Sequence, residues 1–295
     1  MKKKTQIEEI TIIGPGLIGS SLGLALKEKK IVKKIIGIDK NRNNLNHAIK
    51  NNSIDYGFTS IGSNISNSNI IFLCTPVGTM NDVIKNVIPF IKKEVILTDV
   101  GSVKSVFKQR ILNQLSGVCD FIPGHPIAGT EFSGAENAKK NLFNNKWCIL
   151  TPQSNNSKKN IQKLREVWES IGMHVSIMTS DDHDKIMSIT SHLPHLIAFT
   201  IVGTAFDYNN KEKKKLLNFS AGGFRDFTRI ASSDPTMWRD IFINNKKNIV
   251  MTVNEFISDL KKFRDLINTN QSKKIFELIK KTKSIRKRVI NLKQD

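Results

Sequence analysis

Gly14-Pro15-Gly16-Leu17-Ile18-Gly19 is the first stretch of this 295-residue chain whose residue types and spacing could do chemistry. Glycine at the first position permits a tight turn, and at the second it lets the backbone approach a pyrophosphate. At the third it lets a helix pack closely on a strand, while the free N–H groups of the helix start face the anion. Asp39 stands 20 residues after Gly19, where a carboxylate can accept hydrogen bonds from ribose hydroxyls. The charge of Asp39 repels a 2′-phosphate, so NAD is expected rather than NADP. Arg42 argues the other way, because an arginine is what a 2′-phosphate site uses.

A second group of residues could move a proton and hold an acid. His125, in Gly124-His125-Pro126, is either a satisfied loop histidine or a proton acceptor, since an imidazole of ordinary pKa can take a proton near neutral pH. Ser102, in Asp99-Val100-Gly101-Ser102, either caps a helix beyond Gly101, serves a ligand, or does both. Arg225 and Arg229 each offer a planar, bidentate grip on a carboxylate, and one of the two is expected to be a plain surface charge. Cys74, Cys119 and Cys148 are odd in number and widely spaced, which suits neither a disulfide framework nor a zinc site. Buried thiols are expected, and no metal.

Hydrophobic periodicity outlines the elements that must position these groups. Short Val- and Ile-rich runs at residues 10–13, 34–38, 70–74, 95–99, 121–122, 146–150 and 174–178 alternate with helical segments starting at Leu17, Asn41, Thr79, Val103 and Lys158. The alternation predicts an α/β Rossmann-type parallel-sheet domain over residues 1–180. Gly14, Asp39, Thr75, Pro76 and Ser102 then share the carboxyl edge of its sheet, with Leu17 and Ile18 opening the first helix at the cofactor. From residue 181 to 295 the spacing turns helical, over 184–206, 213–219, 235–263 and 273–292, with Ser180-Asp181 and Asp234-Pro235 as helix starts. An all-α domain follows, and a small-molecule site is expected where the two meet.

The glycine run through Leu22, Asp99-Val100-Gly101-Ser102-Val103-Lys104, Gly124-His125-Pro126-Ile127-Ala128-Gly129-Thr130-Glu131, Ser191-His192-Leu193-Pro194-His195 and Phe224-Arg225-Asp226-Phe227-Thr228-Arg229-Ile230 together resemble the successive motifs of the prephenate/arogenate (cyclohexadienyl) dehydrogenases. The resemblance covers nearly the whole chain. It implies NAD-dependent oxidative decarboxylation of a cyclohexadienol to an aromatic ring, the step that makes 4-hydroxyphenylpyruvate or tyrosine. It makes His125 the acceptor of the hydroxyl proton and Ser102 a bridge between nicotinamide and His125. It makes Arg229 the carboxylate clamp and puts His195 at the substrate's side-chain end, with Thr130 beside the site. Glu131 and Asp226 would pair with Arg229 at the entrance, or form simple surface ion pairs. Trp238 would reach a neighbouring subunit's site in an intertwined homodimer, or be plain core; His192 reads as a core or capping histidine. Ending at Asp295, the chain leaves no room for the ACT or chorismate mutase domains that some relatives carry. His195 brings no fixed negative charge for the ammonium of arogenate, which favours prephenate.

The net charge of +20 raises binding to nucleic acid, but the cations are scattered and aromatics are only 7%, so the stacking clusters of a single-strand binder are missing. Only 280–287 is a dense basic patch. No apolar run reaches the roughly 20 unbroken residues of a membrane helix, and a cytoplasmic enzyme is expected. The nearest rival class, a β-hydroxyacid dehydrogenase, would need a lysine base such as Lys185.

Overall fold

Runs of Ile, Val and Leu buried on both faces build the central sheet, and the carboxyl ends of its strands fall at one level. The computed structural model describes residues 6–130, 132–207 and 218–291. Six parallel strands, β1 (Ile7–Ile13), β2 (Val32–Ile38), β3 (Tyr56–Phe58), β4 (Ile70–Leu73), β5 (Ile96–Asp99) and β6 (Asp120–Phe121), pair in the order β3-β2-β1-β4-β5-β6. Ile13 pairs with Ile38 on one side and Leu73 on the other, and Leu73 pairs with Asp99. Gly14, Asp39, Cys74 and Val100 therefore leave the sheet together, around the point between β1 and β4 where strand order reverses and a crevice opens.

Alternation along β1 sends its side chains into two apolar layers. Ile10 and Ile12 pack with Leu22 and Leu26 of α1 (Leu17–Glu28), Phe72 and Trp168; Ile13 packs with Leu73, Leu97 and Ile84. Each such buried side chain contributes about 1.5–3 kcal/mol. Helices α2 (Arg42–Lys50), α3 (Met80–Val87), α4 (Gln109–Leu115) and α5 (Lys158–Ser170) complete the layers. The thiols of Cys74, Cys119 and Cys148 are pushed up by burial, Cys119 to about 12, so they are inert.

Three differences from the sequence reading have physical causes. The strands at 146–150 and 174–178 do not join the main sheet. They form β8 (Trp147–Leu150) and β9 (His174–Ile177) of a second sheet, with β7 (Gly124–Pro126) antiparallel to β8. Pro123 has no N–H with which to carry β6 onward. The helix expected from Val103 starts only at Gln109, because the amides of Lys104 and Ser105 donate instead to the carboxylate of Asp184 at 2.8 Å each. The helix expected across 235–263 stops at Asn245.

Beyond β9 come α6 (Ser180–Met187), a wide π-helical turn (Ser188–His192), α7 (Leu193–Asp207), α8 (Gly222–Thr228), a 3₁₀ turn (Arg229–Ser232) and α9 (Pro235–Asn244). Thr179, not Ser180, caps α6 by accepting from Asp182 N, and Asp234 caps α9 as expected. The π turn precedes Pro194, which lacks the N–H for a regular α turn. The helical run 180–206 is long and apolar enough by composition to cross a membrane, but polar residues interrupt it and it buries His183, Asp184, Ser188 and His192 inside the protein. Trp238 and Ile241 of α9 enter the apolar layer of the main sheet, and the described residues up to Asn245 form one compact unit. Those from Lys246 form another, the hairpin of α10 (Lys246–Asn268) and α11 (Ser272–Asn291). Most of the helix expected over 213–219 lies outside the described residues.

Candidate active site

At the crevice each glycine does the job its position predicts. Gly14 has φ +84°, and a Cβ there would meet Cys74 O at 2.8 Å. A Cβ on Gly19 would meet Gly14 O at 2.7 Å and Ile12 Cγ2 at 2.8 Å, so only glycine lets α1 sit this close to β1. A Cβ on Gly16 would meet nothing within 4 Å: it faces open space where a pyrophosphate would lie. Gly16 caps α1 without a side chain, so the amides of Leu17 and Ile18 keep no cap partner. Asp39 is held by Asn41 N (2.8 Å) and Asn44 Nδ2 (3.1 Å) in a half-buried position, and Arg42 is exposed. The hydroxyl of Thr75 is buried with no partner among the described residues, and Pro76 follows it on the same edge. These residues fit a dinucleotide. Gly16→Val should therefore fold normally and lose NAD binding, whereas Gly19→Val should lose stability. Calorimetric NAD titration and thermal melting separate the two, and full NAD affinity in Gly16→Val would refute the assignment.

Beside this edge lies a buried polar cluster. Asp99 and Lys104 form an ion pair at 2.6 Å with both side chains 0% exposed, and Asp99 also accepts from Gly101 N and Gly124 N. Lys104 Nζ donates to Gly124 O as well, so the pair fixes the start of β7. Burial pushes the Asp99 carboxyl up, while Lys104 and the two amides pull it back. His125, the next residue on β7, is 8% exposed. Its Nδ1 lies 2.8 Å from His183 Nε2, and His183 Nδ1 lies 2.7 Å from Asp184 Oδ1. Burial, followed by the charges of His183, Lys104 and His192, depresses the pKa of His125 well below the ordinary 6.5. The imidazole is thus neutral at physiological pH, further below its ordinary value than its sequence alone suggests. Ser102 is half-buried between Asp99 and Lys104 and does not cap a helix, since the chain turns there.

Asn245 Nδ2 bridges Asp184 O (2.8 Å) and His192 Nδ1 (3.1 Å), and the Nε2 of His192 is buried without a partner among the described residues. Burial lowers His192 to about 4. His195 Nδ1 donates to Ser191 O at 2.9 Å, and its ring stacks on Trp238 at 3.8 Å. Trp238 is 5% exposed within its own chain, between His195, Phe199 and Phe242. Burial lowers the pKa of His195, and the charge of Arg229 lowers it further, which puts Arg229 within electrostatic reach of His195. Arg225 and Asp226 are exposed on α8. Thr130 is half-buried and its Oγ1 accepts from Phe132 N. Glu131 lies outside the described residues. Lys185, the base a β-hydroxyacid dehydrogenase would need, is exposed beside the buried His183–Asp184 pair.

The sequence reading did not foresee roles for Lys104, His183, Asp184 and Asn245. A His-Asp pair one residue before a lysine, heading an apolar helix, was a visible signal; that it meets a histidine 58 residues earlier was not.

Comparison with known proteins identifies the family of the fold. Residues 22–177 match the family description "Prephenate dehydrogenase, nucleotide-binding domain", and residues 179–281 match "Prephenate dehydrogenase, dimerization domain". A cyclohexadienyl dehydrogenase of Zymomonas mobilis is 35% identical over 96% of both chains. A prephenate dehydrogenase of Bacillus subtilis is 34% identical over 95% of this chain and 75% of its own length. The crystal structure of prephenate dehydrogenase from A. aeolicus in complex with hydroxyphenyl propionate and NAD+ superposes with a TM-score of 0.91 at 35% identity, over 97% of this chain and 100% of that one. On these matches the chain belongs to the prephenate dehydrogenase family.

Proposed function

We propose that the protein oxidatively decarboxylates prephenate to 4-hydroxyphenylpyruvate, in tyrosine biosynthesis, with NAD as cofactor. The observation that carries this reading is a neutral, buried His125 fixed beside the carboxyl edge of a dinucleotide-binding sheet. Gly14, Gly16, Gly19, Leu17, Ile18, Asp39, Thr75 and Pro76 would hold NAD, which when bound accepts the hydride. His125 accepts the proton of the ring hydroxyl through Nε2, and Ser102 would bridge the nicotinamide and the imidazole. Loss of carbon dioxide makes the ring aromatic and drives the reaction, so the protein orients more than it activates. Arg229 grips a carboxylate, with His195, stacked on Trp238, at the substrate's side chain and Thr130, Glu131 and Asp226 around the entrance.

The functional division falls at residue 180, with the cofactor held by 1–180 and the substrate face and dimer contacts supplied by 181–295. A homodimer is supported by the family's dimerisation domain and by exposed Leu260, Ile267, Phe276 and Ile279 on the α10–α11 hairpin. The proposed location is the cytoplasm, with no part for nucleic acid or a membrane.

NADH formation with prephenate and arogenate, measured side by side, tests the activity, and faster turnover of arogenate would reverse the preference. In the same assay Arg229→Ala should raise the KM for prephenate far more than it changes NAD affinity, with Arg225→Ala close to wild type. Equal effects from the two would remove Arg229 from its role.

A further inference from the structure

We propose that His183 and Asp184 are positioning residues that set the tautomer of His125 and tie it to the turn carrying Ser102. The inference rests on the reading of His125 as the proton acceptor. Asp184 is where it begins. Its Oδ1 accepts from Lys104 N and from the ring of His183, and its Oδ2 accepts from Ser105 N. Burial alone would raise this carboxyl, yet the hydrogen bonds from His183, Lys104 and Ser105 bring its pKa below the usual carboxylate value. An ionised carboxylate only accepts, so His183 Nδ1 must carry a hydrogen.

Burial keeps His183 neutral in spite of the hydrogen bond to Asp184 that favours its charged form. A neutral imidazole protonated on Nδ1 has a lone pair on Nε2. That atom lies 2.8 Å from His125 Nδ1, so the hydrogen between the two rings belongs to His125. His125, also neutral, is left with its lone pair on Nε2 and is committed to accepting there. When the ring hydroxyl gives up its proton, the proton comes to rest on Nε2. The positive charge that forms on His125 faces the Nε2 lone pair of His183, with the carboxylate of Asp184 behind it. No second proton transfer is needed. Among the described residues the other charged or titratable groups around His125 are Lys104 and Asp99, from the turn and β5, His192 from the π turn, and the Cys148 thiol of β8, to which the His125 backbone is hydrogen-bonded.

Asp184 has a second hold on the site. The two amides it binds belong to the residues immediately after Val103, in the turn that brings Ser102 past the end of β5. One carboxylate thus sets the place of the turn and, through His183, the orientation of the base.

The test has two parts. Imidazole nitrogen NMR of the full-length wild type, without substrate at neutral pH, should show His125 protonated on Nδ1 and bare on Nε2; the opposite tautomer overturns the proposal whatever the substrate proves to be. His183→Leu removes the acceptor for His125 Nδ1–H, and His183→Gln restores one, because its amide oxygen reaches about where Nε2 stood. His183→Leu should lower kcat by roughly 100-fold with KM and NAD affinity within about threefold, and shift the acid limb of its pH profile. His183→Gln should recover turnover to within about 10-fold of wild type. A folded His183→Leu with wild-type kcat and pH profile overturns the proposal. If His183→Leu does not fold, the tautomer and the His183→Gln kinetics decide it. Failure to oxidise prephenate with the predicted tautomer present would sink the proposed function alone.

Discussion

His125→Asn should bind NAD and prephenate nearly as wild type does and lose roughly 100-fold or more in turnover, the usual contribution of a general base. Asparagine places an amide about where Nδ1 stood, so it can still donate to His183 and keep the second sheet in place, but it has no nitrogen that accepts a proton. The pH profile makes the expectation sharper. A base works in its unprotonated form, so wild-type kcat/KM should be constant above the pKa of His125 and fall as pH drops through it. Burial and three neighbouring cationic or imidazole groups depress that pKa, so the midpoint of the acid limb should lie below 6.5. His125→Asn should lose this limb. A mutant that keeps both turnover and limb would transfer the role to His195, whose Nδ1 donates to Ser191 O and whose Nε2 is thereby an acceptor.

Lys104→Met should cost stability rather than a single catalytic function. It would leave the Asp99 carboxylate fully buried beside Gly101 N and Gly124 N with no counter-charge, a change that typically costs 3–5 kcal/mol, about. For a unit of this size that corresponds to a melting temperature lower by roughly 10 °C. The same side chain holds Gly124 O, so β7 and with it His125 should loosen before the main sheet does. Adding Asp99→Asn to Lys104→Met removes the stranded charge and should recover part of the loss. Thermal melts of the two variants decide the matter; a single variant as stable as wild type would show that the pair does not hold β7.

Much of this was legible in the sequence where the chain interacts with itself locally. The glycine run, Asp39 and the strands at 34–38, 70–74 and 95–99 are read by short-range rules of turn, spacing and burial, and the structure keeps them with shifts of one or two residues. Periodicity could not say that 146–150 and 174–178 belong to another sheet, because an apolar run looks the same in either one. Nor could it foresee that the segment after Ser102 gives up its helix. Val103, Lys104 and Ser105 are ordinary helix residues, and only the distant carboxylate of Asp184 makes the turned backbone the better arrangement. The site was legible to the extent that its residues sit in recognisable runs. The support behind His125 was not, since it depends on a pairing across 58 residues.

Four of the six histidines of the chain gather around this site, and three of them, His125, His183 and His192, are buried with lowered pKa. Unfolded, each takes up a proton near pH 6.5; folded, each refuses it until the medium is more acid. Over that interval these three histidines alone bind up to three more protons in the unfolded chain than in the native one, so their contribution to stability rises with pH and falls on acidification by up to about 4 kcal/mol per unit. A net stability of 5–15 kcal/mol is small beside that slope. Keeping bases neutral inside the protein therefore gives the fold a lower pH boundary, set by proton uptake on opening rather than by any lost contact.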